Sequence, residues 1–265
     1  MQVGAPVLIG AGDIASCESP GDEATARLLD LYPDATVFTA GDNAYFHGNA
    51  SNFRDCYDPT WGRHRQRTRP APGNHDYETP GASGYFDYFG ANAGPRGLGY
   101  YTFDVGSWRI YSLNSEPSLA GAGSSQMSWL KSDLASHPVN CSIAIWHHPV
   151  FTSGPNGPNA YMRDILRVLY DNNVDIVING HDHLYERFAP QDPDARPDFA
   201  RGIRQFTVGT GGVPLYQNVT VAANSERLQS VWGILRLVLN PGEYDWEFVP
   251  VGETAFRDAG SGKCH

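Results

Sequence analysis

Five short polar motifs, each placed directly after an apolar run, carry the side-chain types that bind metal ions. The candidate ligands among their side chains are two carboxylates, a phenol, an amide oxygen and three imidazoles. This mixture of hard oxygen and borderline nitrogen donors suits iron, zinc or manganese and needs no thiolate. One such motif is weak evidence, but five in one chain predict a site for two metal ions. The motifs are Gly12-Asp13, Gly41-Asp42-Asn43-Ala44-Tyr45, Gly73-Asn74-His75-Asp76, His147-His148-Pro149 and Gly180-His181-Asp182-His183.

Each motif also has an interpretation without a metal: a simple turn, a core aromatic residue or a pair of core histidines. The spacing favours the metal interpretation. Tyr45 follows Asp42 by three residues, so both side chains can point into one site. His181 and His183 are two residues apart, so in an extended segment their imidazoles face the same side. A glycine before a ligand lets the backbone turn sharply and approach an ion closely.

The identity of one ligand stays open at this stage. In the His147-His148 pair, either imidazole could bind an ion, with the other behind it or exposed. Asn74 offers an amide oxygen, which is a reasonable ligand for a divalent ion. The remaining histidines are predicted to lie on the surface, behind the site or in the terminal tail; they are His47, His64, His137 and His265.

Composition narrows the classes of partner. The chain has 265 residues and a formal charge of −10, so nucleic acid is not an expected partner. No apolar stretch approaches the roughly 20 residues that span a bilayer, so no membrane partner is expected. The segment 209–212 lacks the ending of a nucleotide P-loop and is predicted to be a tight turn near the site. A small substrate fits these limits, and a monomer is compatible with them.

The four cysteines form no Cys-x-x-Cys pair, so a zinc ribbon is not expected. Their even number, their placement mainly in loops and the few lysines favour a secreted or extracytoplasmic protein with two disulfides. Of the three possible pairings, Cys17–Cys56 with Cys141–Cys264 is favoured, and four reduced cysteines are the alternative. Residues 1–6 have neither a basic segment nor an apolar region, so they show no signal-peptide pattern.

The elements that position the motifs follow from hydrophobic spacing. Helices are predicted over residues 22–32, 124–136 and 162–169, and residues 81–99 and 189–201 are predicted loops rich in Gly and Pro. The strand patterns indicate two sheets, one mixed and one largely antiparallel, with helices outside them. Ligands in such proteins bind at the carboxyl ends of the strands, where the motifs lie. Strands are predicted at residues 7–9, 35–39, 141–146, 174–178, 205–209, 233–239 and 244–251, and residues 100–103 and 108–113 form a predicted hairpin.

Taken together, the five motifs resemble those of the calcineurin-like metallophosphoesterase superfamily, and within it the purple acid phosphatases. Many superfamily members begin with Asp-x-His, whereas Asp13-Ile14-Ala15 has no histidine. Purple acid phosphatases instead have a tyrosine after the second motif, where this chain has Tyr45. The resemblance implies an α/β (α+β) fold, a four-layer αββα sandwich of two mixed β-sheets flanked by helices. It also implies that residues 1–265 form a single catalytic domain.

The resemblance implies a role for each motif residue. His75 would contact phosphate and assist the departing group, together with the metal-bridging Asp42. The family often has further histidines after the fourth motif, but residues 151–161 contain none, so His148, His47 or His64 could replace them. A ferric ion would be held by Asp13, Asp42, Tyr45 and His183, and a divalent ion (zinc, iron or manganese) by Asp42, Asn74, His147 and His181.

The activity implied by this resemblance is hydrolysis of phosphomonoesters by a metal-bound hydroxide, without a phosphoenzyme intermediate. Two metal ions about 3.5–4 Å apart can stabilise both the attacking and the leaving oxygen. One alternative is a phosphodiesterase or nucleotidase on the same scaffold. Another is a secreted binding protein that uses the metal ions only for structure.

Overall fold

The computed structural model describes residues 4–217 and 219–265. These residues contain thirteen strands and a set of mostly short helices. The strands are β1 Val7–Ala11, β2 Thr36–Ala40, β3 Thr68–Ala71, β4 Tyr101–Val105, β5 Trp108–Ser112, β6 Ser142–Ile145, β7 Ile176–Asn179, β8 Tyr185–Phe188, β9 Arg204–Val208, β10 Ser225–Gln229, β11 Gly233–Asn240, β12 Glu243–Pro250 and β13 Asp258–Lys263. The main helices are α1 Gly21–Asp30, α2 Ser83–Phe89, α3 Ser125–Ser136 and α4 Arg163–Asp171. Shorter helical segments are Ala50–Asn52, Phe53–Tyr57, Trp61–Arg67, Asn74–Tyr77, Pro80–Ala82, Gly90–Ala93, Pro117–Ala120 and Ala160–Met162.

The strands form two sheets, one with the order β13-β12-β11-β1-β2-β3 and the other with β10-β8-β9-β7-β6-β5-β4. In the first sheet β1, β2 and β3 are parallel, and β11 joins β1 antiparallel. In the second, β5, β6, β7 and β9 are parallel, with antiparallel strands on both sides. Both sheets are therefore mixed. The prediction of one largely antiparallel sheet is wrong, because the antiparallel strands are shared between the two.

Alternating side chains join the two sheets and attach the helices. In β6, Ile143 and Ile145 lie in the core shared with the first sheet, whereas Ala144 lies in a second core. Leu130 of α3 and Ile165 of α4 pack in that second core. Because successive strand residues face opposite sides of a sheet, each sheet can bury both of its faces. The predicted four-layer αββα sandwich is confirmed.

The local predictions are mostly confirmed, with instructive exceptions. Ser124 caps α3 by accepting a hydrogen bond from the Met127 N–H at 3.1 Å, as a serine at a helix start is expected to do. The predicted loop over residues 81–99 is partly wrong, because it contains α2, whose Tyr85 and Phe89 are buried. The short strands β3, β8, β10 and β13 were not predicted. β3, β10 and β13 are at sheet edges, where Pro, Gly and polar residues hide the strand pattern, whereas the four-residue β8 lies between β10 and β9.

Both disulfides have the favoured pairing. Cys17–Cys56 joins the loop after β1 to the segment that follows Tyr45, with a Cα–Cα distance of 4.9 Å. Cys141–Cys264 joins the start of β6 to the end of the chain, with a Cα–Cα distance of 5.4 Å. No helix of the described residues is long and apolar enough to cross a bilayer.

Candidate metal centre

The parallel strands of both sheets bring the five motifs to one region. Asp13, Asp42 and Asn74 follow β1, β2 and β3, while His147 and His181 follow β6 and β7. Because neighbouring parallel strands end at the same sheet edge, their following loops meet there. Residues as far apart in sequence as Asp13 and His181 are in direct contact: the His181 N–H donates to Asp13 Oδ2 at 2.8 Å.

Three of these residues have an uncommon backbone conformation. Asp13, Asp42 and His181 have φ values of 59°, 50° and 72°, in the left-handed region that residues with side chains rarely adopt. The glycines before them allow the sharp turn. A Cβ atom on Gly180 would lie 2.6 Å from Asp13 Oδ2, so only glycine fits there. Such local strain persists only where surrounding contacts maintain it, and it is common at functional sites.

Tyr45 lies at the centre of the first group of donors. Its hydroxyl oxygen is 2.9 Å from Asp13 Oδ1, 3.0 Å from Asp42 Oδ2 and 3.3 Å from His183 Nε2. Burial and the two carboxylates raise the pKa of the Tyr45 phenol well above its usual value, so the phenol keeps its proton until a cation replaces it. Two carboxylates, a phenol and an imidazole therefore face one small volume.

His147 lies at the centre of a second group, which shares Asp42 with the first. His147 Nε2 is 3.1 Å from Asp42 Oδ2, 3.1 Å from Asn74 Oδ1 and 3.3 Å from His181 Nδ1. Burial and the neighbouring His147 lower the pKa of His181 to about 4, so its imidazole is neutral and has a lone pair for an ion. Asp42 therefore occupies the bridging position between two donor groups.

Backbone carbonyls orient two of the imidazoles. His147 Nδ1 lies 2.8 Å from the Ala40 carbonyl oxygen, and His183 Nδ1 lies 2.9 Å from that of Pro214. A carbonyl oxygen only accepts, so each Nδ1 carries a proton, and each Nε2 faces the donor group, where it can bind an ion once its own proton is lost. Histidines that bind metal ions commonly have this second hydrogen bond.

The charges of the cluster fit metal ions. Asp13 and Asp42 are 0% and 1% exposed. Among the residues that the structure describes, their only ion-pair partners are histidines, with no Lys or Arg. Although burial alone would lower it, Asp42 and Asp13 raise the pKa of His147 to about 9. Two buried carboxylates are costly without a full positive charge nearby, and divalent or trivalent ions supply that charge.

Comparison with known proteins agrees with this geometry. The sequence model described as calcineurin-like phosphoesterase matches residues 8–185. The chain belongs to the calcineurin-like phosphoesterase family. Proteins of this family bind two metal ions, and the carboxylate and imidazole groups found here could hold them.

Similar proteins include purple acid phosphatases from plants. Purple acid phosphatase 23 of Arabidopsis thaliana is 32% identical over 161 residues, which are 51% of this chain and 34% of that protein. Probable inactive purple acid phosphatase 9 of Arabidopsis thaliana is 34% identical over 99 residues, 34% of this chain and 15% of that protein. The chain thus spans about a third or less of these relatives.

A solved structure extends the fold likeness to nearly the whole chain. Purple acid phosphatase PPD1 from yellow lupin (Lupinus luteus) seeds superposes with a TM-score of 0.78 at 19% sequence identity. The match covers 98% of this chain and 54% of the lupin chain. The likeness confirms the arrangement of two mixed sheets with flanking helices.

His75 lies beside the candidate metal centre and is not one of the predicted ligands. Its N–H donates to Asp42 Oδ1 at 2.8 Å, and its Nδ1 is 2.6 Å from the Phe46 carbonyl oxygen and 3.0 Å from Glu78 Oε1. Its Nε2 lies 4.0 Å from Asp42 Oδ2, and the side chain is 26% exposed. The imidazole therefore presents Nε2 to the cluster at a position that solvent reaches.

His147, rather than His148, contacts Asp42 and Asn74. His148 Nδ1 is bonded to Ser115 Oγ at 2.8 Å, and its ring centroid is 4.4 Å from that of His181. Burial, His147 and His181 lower the pKa of His148 to about 2, so it is a neutral ring behind the ligands. Ring nitrogens of His147, His148 and His181 do lie within 4.8 Å of one another, so His148 borders the site closely.

The other histidines differ in their distance from the site. His47 lies 2.5 Å from Glu78, the residue that also contacts His75. His64 is buried and bonds to the Ala26 carbonyl on α1, so the suggestion that it lies on the surface or replaces a pocket histidine is wrong. His137 is exposed at the end of α3.

Two residues that support the site, Asp76 and Tyr216, were not among the predicted site residues. Asp76 is fully buried and accepts hydrogen bonds from the Gly73 N–H at 2.9 Å and from Asn43 Nδ2 at 2.9 Å, which joins the second motif to the third. Its place within a motif was the only signal. Tyr216 stacks on His183, but nothing in the sequence around it indicates that contact. The predicted turn at 209–212 does lie near the site, since the Gly211 N–H donates to the Gly12 carbonyl at 2.9 Å.

Proposed function

We propose that this protein is a metal-dependent phosphatase that hydrolyses phosphomonoesters, similar to purple acid phosphatases. The observation that carries the proposal is the position of the Tyr45 hydroxyl, within 3.3 Å of Asp13, Asp42 and His183. A phenol among two carboxylates and an imidazole suits a hard trivalent ion, which binds anionic oxygen well. The family membership and the relatives support a hydrolase of phosphoric esters.

Each donor group suits a different ion in this proposal. When bound, the two ions would lower the pKa of a water molecule and offset negative charge on the phosphoryl oxygens. The four residues around Tyr45 would hold Fe(III), and the group around His147 would hold zinc, iron or manganese. These are Asp13, Asp42, Tyr45 and His183 for the first ion, and Asp42, Asn74, His147 and His181 for the second.

The residues around the ions have separate tasks. Asp42 keeps both donor groups together, since its Oδ2 contacts Tyr45 and His147. His75 Nε2 would give a proton to the ester oxygen as the P–O bond breaks and the water oxygen bonds to phosphorus. His75 Nδ1 stays bonded to the Phe46 carbonyl, which holds the ring in place. Each turnover consumes one water and yields inorganic phosphate and an alcohol.

Rates on two chromogenic substrates test the reaction. The metal-loaded protein is expected to hydrolyse an aryl phosphomonoester at least tenfold faster than the matching bis-ester, because two metals and His75 suit a dianionic phosphoryl group. Chelator treatment should abolish the activity, and restored metal should return it. A faster rate on the bis-ester would identify a phosphodiesterase instead. Fully metallated protein that hydrolyses neither ester would support the non-catalytic alternative.

Colour tests the ferric assignment. Phenolate bound to ferric iron absorbs visible light, so iron-loaded protein is expected to be coloured, as the resemblance to the purple enzymes implies. Tyr45→Phe should lose essentially all of this absorption, measured by visible spectroscopy alongside iron content. Tyr161→Phe is the control, because the Tyr161 hydroxyl donates to the Ser115 carbonyl and not to the cluster. A colourless iron-loaded wild type would contradict the ferric assignment.

The proposed setting is outside the cytoplasm, with a small phosphorylated molecule as the partner. Both disulfides join segments distant in sequence, by 39 and 123 residues, and such bonds persist in oxidising surroundings. The net charge of −10 disfavours nucleic acid as a partner.

A further inference from the structure

A tyrosine covers one face of the predicted ligand His183. The rings of Tyr216 and His183 have centroids 4.5 Å apart and planes 9° from parallel. The Tyr216 N–H also donates to the His183 carbonyl at 2.9 Å. The phenol ring is therefore fixed to His183 through both backbone and side chain, while the residue stays partly exposed.

Among the described residues, the Tyr216 hydroxyl accepts a hydrogen bond but donates none. Asn156 Nδ2 donates both to the Tyr216 hydroxyl oxygen at 3.2 Å and to the His181 carbonyl at 3.0 Å. The phenol oxygen is thus an acceptor in this pair, and within residues 4–217 and 219–265 its proton has no acceptor.

A tight loop holds Asn156 in this position. The Asp182 carboxylate accepts from Thr152 Oγ1 at 2.6 Å and from the Asn156 N–H at 3.3 Å. A Cβ atom on Gly154 would lie 2.0 Å from Asp182 Cγ, so the loop packs closely over that carboxylate. Residues 151–161 contain no Lys, Arg or His, so this side of the centre offers only neutral donors.

We propose that Tyr216, positioned by Asn156, donates a hydrogen bond to a phosphoryl oxygen of the bound substrate. This inference rests on the proposed function and adds a substrate-contacting residue to it. The phenol ring stacks on His183, and Asn156 links the hydroxyl to the His181 carbonyl, so Tyr216 is tied to a residue of each metal group. A phosphoryl group placed over both groups would present an oxygen to it. The proton that lacks an acceptor in the protein then gains one in the substrate.

Phosphate binding measures this contact apart from turnover. Metal-loaded wild type, Tyr216→Phe and Asn156→Ala are titrated with inorganic phosphate by calorimetry, and KM and kcat are measured on an aryl phosphomonoester. Tyr216→Phe keeps the stacked ring and removes only the hydroxyl. Phosphate binding should weaken, and KM should rise, by about tenfold or more, the usual effect of losing a hydrogen bond to a charged group. Asn156→Ala should also weaken phosphate binding and raise KM, but by a smaller factor.

Tyr170→Phe is the matched control, because the Tyr170 hydroxyl on α4 donates to Asp198 at 2.7 Å and should leave phosphate binding unchanged. Metal content is measured for every variant. Unchanged phosphate affinity in fully metallated Tyr216→Phe would overturn the proposal. Loss of metal from Tyr216→Phe would also overturn it, because the hydroxyl would then act through His183. If wild type binds phosphate but hydrolyses no monoester, the proposed function fails, while the binding data still decide the role of Tyr216.

Discussion

Replacing Asp42 with asparagine is expected to remove metal and activity together. The side chain keeps its shape but loses the charge that allows a carboxylate to bridge two ions. Bound metal should fall from two ions to one or none, and hydrolysis should fall by roughly a thousandfold or more, since two-metal stabilisation is worth several kcal/mol. Elemental analysis and rates on an aryl phosphomonoester measure both effects.

The contacts of Asp42 explain why the loss should be this large. Its Oδ2 is 3.0 Å from the Tyr45 hydroxyl and 3.1 Å from His147 Nε2, and its Oδ1 accepts from the His75 N–H at 2.8 Å. Although burial opposes ionisation, His147 and His75 hold the pKa of Asp42 below its usual range, so the carboxylate is anionic. No other residue contacts both donor groups through one oxygen in the part of the chain that the structure describes.

Thermal unfolding separates this effect from misfolding. Metal should raise the midpoint of the wild type, because ligands that bind only the folded state stabilise it. Metal-free Asp42→Asn should still unfold cooperatively, at a midpoint below that of metal-free wild type because the carboxylate that pairs with His147 and His75 is gone, and it should gain little from added metal. Asp55→Asn, which alters an exposed pair with Arg54, is the control. A fully active, metal-free Asp42→Asn protein would contradict the two-metal centre.

Much of the site could be predicted because strand ends are visible in sequence. The buried runs that form β1, β2, β6 and β7 are continuous and contain β-branched residues, and each is followed by a polar motif. Since parallel strands end at the same sheet edge, the order of elements placed Asp13 beside Asp42 and His147 beside His181, while the contact between these two pairs depends on how the two sheets pack. The residues alone left His147 and His148 as alternatives and the resemblance implied His147, which the coordinates place against Asp42 and Asn74.

The remaining features depend on contacts that sequence patterns do not encode. Antiparallel strands read alike in either sheet, so their division between the sheets could not be predicted. Tyr216 lies in a loop without periodic spacing, and His183 lies in the segment after β7. Only folding of the chain brings the two rings into contact. Asp76 was visible as a motif residue, but its hydrogen bonds to Gly73 and Asn43 depend on how two loops pack.

Replacing His75 with alanine is expected to slow turnover while both metal ions stay bound. Loss of a group that transfers a proton typically lowers kcat by about 10²- to 10⁴-fold. The imidazole Nε2 lies 4.0 Å from Asp42 Oδ2, close enough to reach an ester oxygen near the cluster but outside the predicted ligand set. The hydrogen bond from residue 75 to Asp42 uses the backbone N–H, so alanine preserves it.

The leaving group distinguishes proton transfer by His75 from a purely structural role. An alkyl phosphate has a poor leaving group that needs the proton, whereas a nitrophenolate departs without it, so His75→Ala should slow the alkyl ester more. Steady-state kcat on both esters, with metal content by elemental analysis, measures this difference. His137→Ala removes an exposed imidazole at the end of α3 and should change neither value. Equal slowing of both esters, or loss of metal from His75→Ala, would show that the imidazole supports the centre instead of supplying a proton.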